Sequence, residues 1–316
     1  MKILAPARVD LAGGTLDVPP LCFLVEKAIT LNLAIDLEVN VTLKPSTQWR
    51  LIQDGETSDS YSDLPPLFQK AFAYLEIEGP LDIQVSSQIP RASGLGGSST
   101  LLVALVKAGL DLLGQKASPR DLLNVVTVLE HKLLGKPAGT QDAIAAIYGG
   151  LSFIQYGQGY PIQQPIALPT FLQGDIVLAY SAVQHHSGMN NWGIIKAACE
   201  GDRHTLQVLT SLAENAHALH QTLLENDEVG FLKCLQNEAE LRGRLAKGWV
   251  PKNMAAFVDS MPGQVVGKIC GAGGGGCMLM LGDLPVGKTL NELAASYELE
   301  IFRVKAQSLG CRGMQE

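Results

Sequence analysis

The segment Pro90-Arg91-Ala92-Ser93-Gly94-Leu95-Gly96-Gly97-Ser98-Ser99-Thr100 constrains this chain more than any other. It follows Leu81–Ser87, which alternates as a strand does, and it opens the apolar run Ser98–Leu113, which reads as a buried helix. Glycine reaches positive φ without steric penalty and lets backbone approach a ligand closely. The first amides of a helix lack partners and lie at the positive end of its dipole, so a glycine turn placed here reads as an anion site. Ser98 and Ser99 add hydroxyls suited to phosphate or Mg2+. The alternative is a tight turn capped by serines. It is not a Walker A loop, because no Gly-Lys-Ser/Thr follows.

A second glycine run, Gly271-Ala272-Gly273-Gly274-Gly275-Gly276, separates the strand-like segments Val265–Ile269 and Cys277–Leu281. Ordering so many glycines is entropically costly, and close packing against a ligand or another backbone explains them better than an ordinary hairpin. Two carboxylates also stand out. Glu130 falls on the apolar stripe Leu122–Val126–Leu129–Leu133, where an unpaired charge is costly and calls for a cation, either a side chain or a metal. Asp142 follows Pro137 at the start of a helix. Alone it reads as a helix cap; beside a phosphate loop, one carboxylate would hold Mg2+ and the other would act on an attacking hydroxyl. Arg8-Val9-Asp10-Leu11-Ala12-Gly13-Gly14-Thr15-Leu16-Asp17 reads either as a polar loop for sugar hydroxyls or as a structural turn with a surface Arg–Asp pair.

The rest of the chain narrows the field. Helical signals run over 64–76, 118–135 (Ser118 as N-cap, Pro119 first, Gly135 last), 138–148, 190–200, 203–225, 228–246 and 290–297. Strand signals fall at 2–4, 29–35, 37–43, 176–180 and 299–304. Strands and helices mix without strict alternation, which predicts an α+β fold. Its 316 residues allow two domains, with a border near 155–175, giving 1–165 and 166–316. Net charge is −7 with no basic patch, which argues against nucleic acid as a partner. The N-terminal apolar run is too short for a signal peptide, and no stretch approaches the roughly 18 apolar residues of a membrane span. Six scattered cysteines without a CxxC pair read as reduced thiols of a cytoplasmic protein. His185-His186 lacks a nearby carboxylate or Cys at metal-binding spacing, so the segment 185–192 is either a loop closing over the substrate or a helix start capped near Asn190.

Taken in order, these segments resemble the GHMP kinase superfamily across essentially the whole chain. Pro6–Gly14, Asp17 and Leu134–Asp142 look most like its fucokinase and heptose 7-phosphate kinase branch. The resemblance implies a two-domain α+β fold: an N-terminal domain with a left-handed β-α-β phosphate loop and a ferredoxin-like C-terminal domain. It implies an ATP- and Mg2+-dependent kinase acting on a sugar or sugar phosphate, at the anomeric hydroxyl, as a monomer or homodimer. Carried over by position, Asp142 is the catalytic base and Arg8 supports the transition state. Asp17, Gly14 and His186 face the sugar. Gly94, Leu95, Gly96, Gly97, Ser98 and Ser99 form the phosphate loop, and Ser98 with Glu130 holds Mg2+. Gly273, Gly274 and Gly275 belong to the third motif, which shapes the phosphate pocket. Two departures bear on the acceptor: Gly97 stands where the family usually has Ser, and Thr15-Leu16-Asp17 displaces or removes a hydroxyl beside the sugar. Mevalonate or homoserine as acceptor, and a catalytically silent sensor, are the rival readings.

Overall fold

Two long antiparallel strands, β1 (Lys2–Ala12) and β2 (Ile29–Pro45), carry the first sheet; the short helix α1 (Leu21–Leu24) lies between them in sequence. The computed structural model describes residues 2–157, 159–182, 187–246, 248–285 and 287–314. The strand signal at 2–4 understates β1. From Ala5 onward every residue of β1 is buried, so the polar–apolar alternation that marks a half-exposed strand is lost.

The sheet continues through β3 (Arg50–Gln53), β4 (Glu56–Ser58), β5 (Leu81–Ser87), β6 (Leu151–Gln155) and β7 (Ile162–Ile166), with α2 (Pro66–Tyr74) between β4 and β5. β2 is long enough to serve two neighbours along one edge: residues 39–45 pair with β5 and residues 29–33 with β6. Helices α3 (Gly97–Leu112), α4 (Pro119–Leu134) and α5 (Gln141–Tyr148) form the connection from β5 to β6. α3 packs on β1 and β2 and is itself covered by α2, α4 and α5, which is why its sequence is apolar nearly all round. The ends of α4 follow local chemistry. Ser118 and Asp121 form a reciprocal capping box, Pro119 takes the first turn, and Gly135 closes the helix at φ 63°.

The second sheet has the order β11-β8-β10-β9, every pair antiparallel. Its elements are β8 (Ile176–Ser181), α6 (Ser187–Cys199), α7 (Arg203–Glu225), α8 (Glu228–Leu245), α9 (Lys252–Asp259), β9 (Val265–Ile269), β10 (Gly276–Gly282), α10 (Lys288–Ser296) and β11 (Glu300–Val304). A β-α-β-β-α-β order with spatial sequence 4-1-3-2 is the ferredoxin-like arrangement, here with four helices in the first crossover. The chain then returns to the first sheet, where β12 (Arg312–Met314) pairs with β1. No described helix is long and apolar enough to cross a membrane.

The two sheets meet through backbone. Cys277 N–H donates to Ser93 C=O at 2.7 Å, and the Tyr180 hydroxyl donates to Arg91 C=O at 2.8 Å. At Gly276 (φ 83°) a Cβ would sit 2.7 Å from the carbonyl oxygens of Ala92 and Ser93. Gly276→Ala is therefore expected to destabilise the protein by about 2 kcal/mol or more, from the left-handed backbone and the clash together. Thermal or denaturant unfolding measures this, and an unchanged midpoint would show that the loops do not press on one another.

Candidate active site

Arg8 is buried on β1, and its guanidinium bridges two loops. Nε and Nη2 donate to Asp142 Oδ1 at 2.9 and 2.5 Å, while Nη1 donates to Gly94 C=O at 2.6 Å. One rigid fork thus ties the glycine turn to the first turn of α5. The turn itself is left-handed at Ala92, Gly94 and Gly96. At Gly94 a Cβ would fall 2.4 Å from Cys270 C=O, and at Gly96 it would fall 3.2 Å from the Asp142 side chain. Only bare backbone fits between these neighbours. The first intrahelical bond of α3 runs from Thr100 N–H to Gly96 C=O at 2.9 Å, so the amides of Gly97, Ser98 and Ser99 have no acceptor within the helix. The helix end thus has the geometry that suits an anion.

Asp17 and Glu130 complete the acidic side. Asp17 Oδ2 accepts the Gln141 N–H at 3.1 Å, in the same first turn that carries Asp142. This approach depends on Gly139, whose Cβ would overlap the Asp17 carboxylate. The other oxygen, Oδ1, is buried without a hydrogen-bond partner among the described residues. Burial, then the charge of Asp142, pushes the Asp17 carboxyl up to about 6 against the Gln141 amide. Glu130 projects from α4 and is also buried, beside the Ser99 hydroxyl. Burial pushes its carboxyl up to about 8; the Ser99 hydrogen bond opposes this, and Asp142 and Asp17 add to it.

These groups share one cleft of about 1070 Å3 between the sheets. Arg8, Asp17, Gly94, Gly96, Gly97, Ser98, Ser99, Glu130 and Asp142 line it from the first sheet, and Gly273 and Gly275 from the second. Gly14 does not line the wall: a Cβ there would meet Arg242 Nη2 at 2.3 Å, so it packs inward against a buried guanidinium. Leu95 is a core side chain whose carbonyl accepts the Arg8 amide at 3.2 Å. Glu130 lies beside the Ser99 hydroxyl, while Ser98 is exposed on the cleft wall next to it. Gly274 donates its amide to Trp249 C=O at 2.8 Å, behind the lining. His186 lies outside the described residues. Leu16 is fully buried, and Thr15 lines the cleft beside Asp17. Sequence reasoning gave no role to Asp10 and missed Lys268, which fully buries an ammonium in the apolar strand β9; a lysine inside such a run is the signal that was available.

Glu130 also tests the fit of a metal. Among the described residues, the charges acting on its raised carboxyl are those of Asp142 and Asp17. No group of three or more His, Cys, Asp or Glu that could hold a metal exists among the described residues. One buried carboxylate with serine hydroxyls beside an anion site is a donor set suited to Mg2+, which binds one or two carboxylates together with phosphate oxygens. The raised carboxyl also fixes the sign of a pH effect. Folding favours the protonated acid, so its contribution is fully present below the ordinary value of 4.5 and is lost as pH rises through about 8. Without Mg2+ or nucleotide, the melting temperature is expected to fall between pH 5 and 8, and Glu130→Gln to flatten that fall. Parallel slopes for the two proteins would show that Glu130 does not titrate in this range.

Residues 66–150 match the family described as GHMP kinases N terminal domain. The D-glycero-alpha-D-manno-heptose 7-phosphate kinase of Campylobacter jejuni is 25% identical over 90% of this chain and 89% of its own length. The bifunctional fucokinase/GDP-fucose pyrophosphorylase of Arabidopsis thaliana is 27% identical over 89% of this chain, which spans only 30% of that longer protein. Among solved structures, a D-glycero-D-manno-heptose 1-phosphate kinase from Bacteriodes thetaiotaomicron superposes with a TM-score of 0.77 at 19% identity, covering 100% of this chain and 99% of the other. The matched segment, residues 66–150, contains the glycine turn, Glu130 and Asp142, and the fold agrees with that solved kinase along the whole chain.

Proposed function

We propose that this protein is an ATP-dependent kinase that transfers the γ-phosphoryl group to a hydroxyl, the anomeric one, of a sugar or sugar phosphate. The observation that carries the reading is the Arg8–Asp142 pair set against the glycine turn. Both Arg8 bonds end on Asp142 Oδ1, so Oδ2 is left to take the proton of an acceptor hydroxyl. A Cβ on Gly96 would lie 3.3 Å from that Oδ2, which places it against the loop proposed to hold the phosphates. The acceptor oxygen then bonds to the γ-phosphorus, the bridge to the β-phosphate breaks, and ADP leaves. Asp142 acts as base or orienting group, Arg8 offsets charge in the transition state, and the amides of Gly97 to Ser99 bind phosphate oxygens. Glu130 with Ser98 or Ser99 would hold Mg2+, which would neutralise charge on the nucleotide's phosphates. In this reading residues 1–165, joined by the returning strand β12, form the nucleotide-binding domain, and the rest of 166–316 the domain that closes the cleft.

The unpartnered, buried Asp17 Oδ1 supports a polyol acceptor, because it offers a hydrogen-bond acceptor to a hydroxyl. An acceptor carboxylate, as in mevalonate, would meet the charges of Asp17 and Asp142 instead. An ADP-release assay against free sugars, sugar phosphates and mevalonate, with and without Mg2+, tests the assignment. Sugar-dependent ADP is expected. Sugar-dependent thermal stabilisation without ADP would identify a silent sensor. Asp142→Asn is expected to lower kcat about 100-fold or more while ATP still binds; turnover near wild type would remove Asp142 from the chemistry.

A further inference from the structure

The proposed reaction uses Arg8 but leaves unexplained Asp10, two residues along the same strand. Asp10 is fully buried at the junction of the two sheets. Its Oδ1 accepts the Gly271 N–H at 3.0 Å, and its Oδ2 accepts Lys268 Nζ at 2.7 Å. Arg242 Nη2 lies 3.6 Å from Oδ2, close enough for charge but beyond a hydrogen bond. Arg242 Nε in turn donates to Glu238 Oε1 at 2.9 Å, and the same oxygen accepts the Gly13 N–H at 3.0 Å. Two anions and two cations, all buried, thus run from β1 through β9 to α8. Burial alone would raise the Asp10 carboxyl, but Lys268, Arg242 and Arg8 hold it at about 2.

Burying four ions carries a desolvation penalty that apolar residues of similar volume would avoid while joining the sheets as well. Charge therefore earns its place here through what it orients. Gly271 opens the second glycine loop, and a Cβ on it would lie 2.9 Å from Gly94 C=O, the carbonyl that also receives Arg8 Nη1. A continuous path leads from Asp10 to Gly271, Gly94, Arg8 and Asp142.

We propose that Asp10 is a positioning residue for the phosphate site: its carboxylate, fixed by Lys268 and Arg242, holds the second glycine loop against the first. The inference rests on the nucleotide reading above. It predicts a split between two variants that damage the same buried network. Asp10→Asn strands Lys268 next to the glycine loops; Glu238→Gln strands Arg242 at the far end. Both are expected to lower the melting temperature. Titration of Mg2+–ADP into the full-length protein should then show Asp10→Asn weakening binding about tenfold or more, with Glu238→Gln binding as wild type does. Should Asp10→Asn fail to fold, the double variant Asp10→Asn/Lys268→Met, which removes the stranded ammonium, carries the same expectation. Wild-type affinity in the Asp10 variant, or equal losses in the Asp10 and Glu238 variants, overturns the inference and leaves the nucleotide reading standing. No binding of Mg2+–ADP to the wild type overturns both.

Discussion

Two stretches of bare backbone lie against each other at the centre of this molecule, and the cleft is organised around that contact. The turn at Gly94 meets Cys270 and Gly271, and the turn at Ala92–Ser93 meets Gly276. A side chain at these glycines would enter the space of an opposing carbonyl, so the constraint is steric before it is chemical. The same approach that excludes side chains leaves the start of α3 facing a cavity, with its first amides unpaired. The suitability of that helix end for an anion thus follows from the way the two sheets are joined.

The electrostatics of the cleft are unbalanced by design of the fold. Asp17, Glu130 and Asp142 act on one another through charge, while Arg8 is committed to Asp142 and Gly94. Burial raises the first two of these carboxyls instead of leaving them paired. Such a site accommodates hydroxyl donors readily and calls for a cation wherever phosphate is to be held. The proposed roles of Mg2+ and of a polyol acceptor both rest on this surplus.

Much of the architecture was legible residue by residue. The capping box at Ser118–Asp121 and the terminal Gly135 are local signals that act over a single turn, and α4 ends where they place it. The short strands β3, β4 and β12 were not legible, because three or four residues carry too little alternation to mark them. In the cleft, residue type singled out Arg8, Glu130 and Asp142. Spacing did not settle which serine meets Glu130, since Ser98 and Ser99 differ by about 100° around the helix and only packing selects between them.

By itself the sequence determined the two glycine turns, the buried carboxylate on α4 and the order of the motifs, because backbone freedom, helix periodicity and capping are properties of neighbouring residues. Tertiary structure alone decided that Asp10 meets Lys268, 258 positions away, that Gly14 turns inward to Arg242, and that Asp17 keeps one oxygen without a partner. Those outcomes depend on how two sheets are set against each other. A charge buried in such a junction takes whichever partner the junction supplies, and no local pattern in the chain records that choice.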